Sequence, residues 1–292
     1  MRVETIRKPK SAAVTARQAL VKITYYLLVL VVGVLFFFPW VWLVSTSLKA
    51  PAQILQIPPR LLPDPVQWIN YQYAVTFINY GRYLANTLII CIAVLLGTVL
   101  SCTLVAYSLS HVSWRPRDYL FLLILATMML PGQVTMIPIF IIFTKLHWIN
   151  TYYPLTVPSF FGSAFYIFLL RQFFMGIPRE LTEAAELDGC SHWGIYWRVV
   201  MPLARPALAT VIAFTFIGTY TDFQGPLIYL KDRDLWTLSL GLQGYMRRYG
   251  AGGGTSLSAL MAASTLYTIP MIVLFFVAQR TLIQGIVTTG FK

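Results

Sequence analysis

Charged residues are scarce in this sequence, and acidic residues are the scarcest of them. Asp, Glu, Lys and Arg make up only 11% of the 292 residues, while 58% are hydrophobic. Because a soluble domain carries about 25% charged residues, this composition excludes an ordinary soluble protein and indicates a membrane protein. Ten acidic residues against 22 Lys and Arg give a formal net charge of +12. The basic residues flank apolar runs and form no soluble face of their own, so we expect no nucleic-acid partner.

The sequence also lacks the motifs that several classes of enzyme require. The dipeptide Gly-Lys is absent, which excludes a P-loop, and no Ser-His-Asp set can be assembled. The three histidines lie far apart, without partners at metal-ligand spacing. Cys91 and Cys102 lie eleven residues apart on one predicted helix. That is about 16 Å along the axis, beyond the reach of a disulfide. We expect no catalytic residue, no metal and no cofactor, so that any energy for work comes from another chain.

Long apolar runs are what the sequence has in abundance. A membrane-spanning helix needs about 20 mostly apolar residues, and six segments meet that requirement: Ile23–Leu48, Tyr83–Trp114, Tyr119–Thr144, Leu146–Leu170, Pro206–Leu230 and Tyr249–Gln279. The prediction is an all-α membrane protein with six transmembrane helices. The six-span domain covers residues 23–284, between an N-terminal segment of residues 1–22 and a C-terminal tail of residues 285–292.

The distribution of Lys and Arg predicts the orientation of these spans, because both residues are retained on the cytoplasmic side. With six spans, residues 1–22, 115–117, 171–205 and 280–292 share one side and carry fourteen Lys and Arg. The opposite side carries the other eight. Both termini are therefore predicted to be cytoplasmic, together with the loop between spans four and five.

That loop, residues 177–202, concentrates the few carboxylates of the chain. Glu180, Glu183, Glu186 and Asp188 fall within nine positions. An apolar stripe with helical spacing accompanies this acidic row and consists of Ile177, Leu181, Ala184 and Ala185. The pattern is typical of a short amphipathic helix.

Residues around the acidic row predict where two short helices begin and end. Pro178 suits a first helical turn, and Gly189 supplies a left-handed C-cap. Ser191 can cap a second helix that ends near Pro202. The residues alone leave two interpretations open: a helix pair lying on the membrane surface, or an element that docks onto a partner.

The same stretch carries a resemblance to a known family. Glu183-Ala184-Ala185, Gly189 and the run 199–202 resemble the signature EAA-x3-G-x9-I-x-L-P, with apolar Val and Met at the Ile and Leu positions. The signature belongs to the membrane subunits of binding-protein-dependent ABC importers. LPGQVTMIP (130–138), FLLRQFF (168–174), IPRELTEAAELDG (177–189) and QGIVTTGFK (284–292) look like the smaller permease subunit of the carbohydrate-uptake, maltose-type branch. The likeness covers most of the chain from Leu43 onward.

The resemblance implies the type I permease fold with a cytoplasmic coupling helix that sits in a cleft of the ATPase subunit. The residues that would couple to the ATPase are Glu183, Ala184, Ala185, Asp188, Gly189 and Pro202. The implied partners are a cytoplasmic ABC ATPase dimer, a second related permease, an extracytoplasmic solute-binding protein, a carbohydrate substrate and membrane lipids. The implied location is the inner membrane of a prokaryote, with residues 284–292 reaching into the ATPase dimer.

One carboxylate, Asp222, lies within the fifth apolar run, and an intramembrane carboxylate is a functional hypothesis by default. The alternative is a carboxylate at the outer interface that caps the next segment or pairs with an external Arg. Aromatic and hydrogen-bonding side chains hold sugars, and the candidate substrate path is Tyr166, Phe168, Tyr220, Thr221, Asp222 and Phe223. The family often has Trp-Asn where this chain has Tyr220-Thr221.

Other functions compete with sugar import. A permease of the same family could carry glycerol phosphate, a polyol or an amino acid. An intramembrane enzyme would need a catalytic pair facing a cavity, and Asp222 stands without a second group. A channel would need pore-lining rings in a self-assembling oligomer, whereas the EAA resemblance favours an ATPase partner.

Overall fold

The computed structural model describes the backbone of residues 12–77, 79–249 and 254–290 and the side chains of residues 20–76, 79–247 and 257–279. The described part of the chain is helical and contains no strand. In chain order the α-helices are α1 (Ala12–Ser47), α2 (Pro51–Ile54), α3 (Ile69–Phe77), α4 (Tyr80–Ser110), α5 (Arg117–Thr127), α6 (Gly132–Lys145), α7 (Tyr153–Thr156), α8 (Ala164–Met175), α9 (Arg179–Leu187), α10 (His192–Ile195), α11 (Met201–Leu203), α12 (Arg205–Thr221), α13 (Gln224–Tyr229), α14 (Leu238–Tyr249) and α15 (Gly254–Gly290). Two 3₁₀ turns, Val157–Phe161 and Arg233–Leu235, and a π turn, Tyr196–Val200, lie between them.

Six spans account for the apolar runs, as the sequence predicts. Helices α1, α4 and α15 and the segment Tyr153–Met175 are each long and apolar enough to cross a membrane. The other two spans are bent. Helices α5 and α6 meet at 96°, and the segment His192–Leu203 meets α12 at 77°. The first of these bends lies at Pro131-Gly132, a pair of residues that favour a helix break, because Pro131 adopts an extended conformation at the N-cap of α6.

The fourth span begins later than the predicted Leu146. Residues between Leu146 and Tyr153 form a connection in which His147 and Asn150 have φ values of 57° and 66°. The Asn150 side chain accepts hydrogen bonds from the backbone N–H groups of Lys231 and Asp232, at 3.0 and 2.9 Å. The apolar run therefore contains a turn that hydropathy alone does not reveal.

The long helix of the fifth span, α12, ends earlier than the sequence predicts. The sequence places the break at the Gly225-Pro226 pair, but α12 ends at Thr221 and Asp222 is extended, with ψ of 122°. The Asp222 carboxylate accepts a hydrogen bond from the Gly225 N–H at 3.1 Å, so a new helix starts at Gln224. Pro226 then falls in the first turn of α13, where a missing N–H costs nothing.

Helix α4 is the central element, because it packs against α8, α12 and the 3₁₀ turn Val157–Phe161. Gly97 permits a close approach, since Ser159 and Phe160 occupy the space that a Cβ would need. The larger core joins the C-terminal halves of α4 and α8 to residues 195–211. A second core lies at the other end of α4, around Tyr83 and Leu238.

Helix α1 is the least packed span. Its side chains from Leu20 to Phe38 are exposed, and its C-terminal part lies against α15, where Trp40 Nε1 is 3.4 Å from Thr268 Oγ1. The predicted boundaries at residues 22 and 284 both fall inside long helices, α1 and α15. Residues 1–11 and 291–292 of the predicted terminal segments lie outside the described residues.

Candidate functional site

One face of α9 rests against the protein. Thr182 is buried, with 8% of its surface exposed, and Ala185 packs against the larger core, to which Ile177 belongs. A longer side chain at Ala185 would therefore meet the chain's own core, where overpacking typically costs about 1–3 kcal/mol. Of the predicted apolar stripe, Ile177 and Ala185 belong to this inner face.

The opposite face of α9 is exposed. Leu187 is 90% exposed, Leu181 is 46% exposed and Ala184 is also exposed. The predicted stripe is thus divided between two faces of the helix. The four carboxylates of the row, Glu180, Glu183, Glu186 and Asp188, are all exposed around these apolar residues. Small and apolar side chains ringed by carboxylates form a surface suited to a protein partner with basic groups.

The end of α9 is fixed by a Schellman motif. Gly189 adopts the left-handed conformation, with φ of 81°, and its N–H donates to the Glu186 carbonyl at 2.9 Å. The Cys190 N–H donates to the Ala185 carbonyl, also at 2.9 Å. Ser191 then caps the next helix by accepting from the Gly194 N–H at 3.3 Å. The predicted cap residues of both short helices are confirmed.

Residues 191–203, which we call the 191–203 arm, are bonded to the C-terminal third of α4. Tyr196 is fully buried and its hydroxyl lies 2.7 Å from Thr103 Oγ1. Since the Thr103 hydroxyl donates to the Val99 carbonyl at 2.5 Å, Tyr196 is the donor in this pair. The Tyr107 hydroxyl donates to the His192 carbonyl at 3.2 Å. Two side-chain hydrogen bonds therefore join this arm to α4. Pro202 lies exposed near the end of the arm.

A buried arginine, Arg171, connects three helices, α4, α5 and α8. The Arg171 Nε on α8 donates to the Leu109 carbonyl of α4 at 3.0 Å. Its Nη2 lies 3.2 Å from Asp118 Oδ1, at the start of α5. The guanidinium also lies over the Phe121 ring, 4.0 Å from the centroid. One planar group thus holds α4, α5 and α8 next to the point where the chain leaves α8 for α9.

A cavity of about 690 Å³ lies between α9 and the ends of α4 and α8. Charged and titratable side chains border it, among them Arg179, Glu183, Glu186, His111 and His192. Burial, and next the charge of Arg179, lower the pKa of His111 below its ordinary value. His111 is therefore neutral at pH 7 and adds no charge to the cavity. The cavity is therefore bordered by both acidic and basic side chains.

Asp222 occupies the break between α12 and α13. Besides the hydrogen bond from the Gly225 N–H, its backbone carbonyl accepts a hydrogen bond from Ser239 Oγ at 2.6 Å. A Cβ at position 225 would lie 2.5 Å from Asp222 Oδ2, so a larger residue there would displace the carboxylate. Asp222 borders two cavities, of about 160 and 320 Å³. The residue therefore both caps α13 and faces open space.

The other predicted path residues do not line these two cavities. Tyr220 is fully buried, and its ring stacks on Tyr267 at a centroid distance of 4.8 Å. Thr221 donates to the Ile217 carbonyl of its own helix, and Phe223 is half-buried. On α8, Tyr166 packs against the larger core, while Phe168 stacks on Phe121 at 6.3 Å. Of the six predicted path residues, Asp222 lines both cavities and the other five line neither.

Sequence reasoning missed the ties that hold the site. Arg171 and Asp118 carried a signal, because one is a cation at the end of an apolar run and the other is one of only ten acidic residues. Tyr196 and Thr103 carried none, since Tyr and Thr are common in membrane helices. Their pairing depends on how the 191–203 arm folds back against α4.

Comparisons with known proteins bear on this geometry. Residues 93–288 match the model of the family described as binding-protein-dependent transport system inner membrane component. The arabinooligosaccharides transport system permease protein AraQ of Halalkalibacterium halodurans is 29% identical, over 87% of this chain and 91% of the relative. The sn-glycerol-3-phosphate transport system permease protein UgpE of Yersinia pestis is 32% identical, over 89% of this chain and 94% of the relative.

A solved structure shows the same fold. It is a chain of a bacterial ABC transporter involved in the import of the acidic polysaccharide alginate, with a TM-score of 0.79 over 94% of this chain and 100% of that chain, at 23% identity. The six spans and the match of most of the chain lead to one conclusion. This chain belongs to the family of binding-protein-dependent transport system inner membrane components.

Proposed function

We propose that this chain is the permease subunit of an ATP-driven importer that translocates a carbohydrate delivered by a solute-binding protein. The outward face of α9 is the observation that carries this proposal. A short helix that exposes Leu187 at 90%, ringed by carboxylates and fixed by a Schellman motif, is a surface built for a partner. Family membership and the relative named for arabinooligosaccharides support the carbohydrate.

The proposed partners are a cytoplasmic ABC ATPase dimer, a second related permease and an extracytoplasmic solute-binding protein. ATP hydrolysis resides in the ATPase. Closure of the ATPase dimer moves α9, and the ties at Tyr196, Tyr107 and Arg171 pass this movement to α4, α5 and α8. The spans then alternate between outward and inward access. The proposed coupling residues are Glu183, Ala184, Asp188 and Gly189 at the partner surface, Ala185, which packs against the core behind them, and Pro202, which is exposed near the end of the arm.

The proposed location is the cell membrane of a prokaryote, with both termini in the cytoplasm. The excess of fourteen Lys and Arg over eight supports a cytoplasmic position for the loop that contains α9. This orientation points α9 toward the compartment that contains ATP. Asp222 and α13 then lie toward the outer side, where a solute-binding protein would release its ligand.

A second candidate function is import of another solute, such as glycerol phosphate or a polyol. The relative named for sn-glycerol-3-phosphate favours it, since its identity to this chain is 32% against 29% for the relative named for arabinooligosaccharides. Such a difference does not decide a substrate, because a few side chains in one cavity determine specificity.

Uptake by the reconstituted importer tests the proposed function. The permease is purified with its partner subunits, placed in proteoliposomes and supplied with radiolabelled arabinotriose, maltotriose or sn-glycerol 3-phosphate. We expect ATP-dependent uptake of at least one neutral saccharide, at a rate at least tenfold above that of glycerol phosphate. ATP-dependent uptake of glycerol phosphate alone would assign the second function instead.

A further inference from the structure

The larger of the two cavities beside Asp222 joins the two helix breaks of the structure. Its volume is about 320 Å³, and it lies between the start of α6 and the α12–α13 break. Ligand pockets begin at about 300 Å³. The lining side chains that can make hydrogen bonds are Gln133, Thr135, Asp222, Gln224 and Tyr229. The cavity is therefore large enough for one sugar ring and polar enough to bind it.

Two amides give this cavity unused hydrogen-bonding capacity. Gln133 and Gln224 are both exposed to the open space. The contact of Gln224 Nε2 is the sulfur of Met136, at 3.4 Å, and a thioether is a weak acceptor. Each amide offers two donors and one acceptor, which match the alternating donor and acceptor character of sugar hydroxyls. The Tyr229 ring adds an aromatic wall, held by stacking on Phe140 at 6.3 Å.

The charge of the cavity is negative and lacks a counterion. Asp222 is the charged residue among its described lining side chains, which include no Lys, Arg or His. The smaller cavity of about 160 Å³ on the other side of Asp222 is lined by Thr87, Thr219, Thr237 and apolar residues, again without a cation among the described side chains. A phosphate or a carboxylate entering either cavity would be repelled and would find no basic partner.

We propose that the cavity formed by Gln133, Thr135, Asp222, Gln224 and Tyr229 is a saccharide subsite that selects neutral, hydroxyl-rich solutes over anionic ones. This inference rests on the proposed function and names the substrate class. The two amides hydrogen-bond the hydroxyls, the Tyr229 ring packs on the C–H face, and Asp222 accepts from hydroxyl donors and repels anions. Gly225 keeps the carboxylate in place, since a Cβ there would collide with Asp222 Oδ2.

The test uses the assembled importer with single variants. Gln133→Leu and Gln224→Leu should each lower uptake of the better-transported saccharide, arabinotriose or maltotriose, by about three- to tenfold, because each removes an amide that hydrogen-bonds the sugar hydroxyls. The amount of co-purified partner subunits should not change. Gln72→Leu is the matched control, since Gln72 is exposed on α3 and lies outside both cavities.

Cysteine labelling tests the charge of the same cavity. A cationic and an anionic methanethiosulfonate are compared at each position. The ratio of the cationic to the anionic labelling rate should be about tenfold higher at Gln224→Cys than at Gln72→Cys. Asp222→Asn keeps an acceptor for the Gly225 N–H and should remove this preference. The transported saccharide should slow labelling of Gln224→Cys, and glycerol 3-phosphate at the same concentration should not. The parent chain, which contains Cys91, Cys102 and Cys190, gives the background.

The outcomes separate this subsite from the proposed function. If saccharide is imported but both Leu variants transport normally and no saccharide protects Gln224→Cys, the subsite is wrong and the importer stands. If the wild-type importer carries glycerol 3-phosphate and no neutral saccharide, both the saccharide subsite and the proposed carbohydrate import are wrong. Protection by glycerol 3-phosphate equal to that by saccharide would overturn the selection against anions.

Discussion

Gly189→Val is expected to lower the amount of ATPase subunit that co-purifies with the permease about tenfold or more, and uptake should fall with it. A Cβ at this position would meet open space, so the substitution creates no clash. The effect arises from the backbone alone, because φ of 81° is costly for a β-branched residue, by about 1–3 kcal/mol. The chain would leave the left-handed conformation and tilt α9, and a loss of 1.4 kcal/mol is a tenfold loss of affinity.

Two matched variants separate the cap from a general loss of stability. Gly189→Asn should retain nearly normal ATPase binding, since Asn tolerates the left-handed region better than other residues. Gly33→Val adds the same side chain on exposed α1, where nothing lies within 4 Å and the backbone is an ordinary helix. This variant should leave ATPase binding unchanged. Normal ATPase retention by Gly189→Val would mean that the cap does not orient the docking surface.

Arg171→Leu is expected to leave the ATPase bound but to lower transport per ATP hydrolysed about tenfold. The substitution leaves the Leu109 carbonyl without its donor, at a cost of about 1–3 kcal/mol. It also removes the contact of the guanidinium with Phe121 and the bond to Asp118. Because α4, α5 and α8 are then joined less firmly, movement of α9 reaches them less completely.

The controls for this prediction come from the same end of the molecule. Arg171→Lys keeps the charge but cannot reach Leu109 and Asp118 in two directions at once, so it should give an intermediate coupling ratio. Arg115→Leu removes an exposed arginine from the adjacent loop and should leave coupling unchanged. A normal coupling ratio in Arg171→Leu, measured as solute imported per ATP hydrolysed, would show that the tie is dispensable.

The sequence was sufficient to predict the six spans and the two short helices around Gly189, since both depend on local signals. Apolar length determines a span, and a glycine with the right neighbours determines a left-handed cap. The break at Asp222 was displaced by three residues, because it depends on one side chain that bonds to the Gly225 N–H. Hydropathy does not contain that information.

The candidate site was only partly predictable, because its inner face depends on long-range packing. Helical spacing groups Ala184 with Ala185, but the structure turns Ala185 toward the core and Ala184 outward. Tyr220 has the chemistry of a sugar contact, yet its ring packs on Tyr267. Gln133 and Gln224 are distant in sequence and meet at one cavity because two helices break at the same level. Sequence composition does not predict that these two residues line the same cavity.

Photo-cross-linking at Leu187 tests most directly whether the outward face of α9 binds the ATPase. A photoreactive amino acid replaces Leu187, which is 90% exposed, and in a control chain it replaces Leu62, which is 75% exposed in the loop after α2. Irradiation of intact cells should give an adduct between position 187 and the ATPase subunit, and none between position 62 and that subunit. Such an adduct would also place α9 on the cytoplasmic side. Cross-linking of position 187 to lipid or to the solute-binding protein, with no ATPase adduct, would contradict the coupling role of this helix.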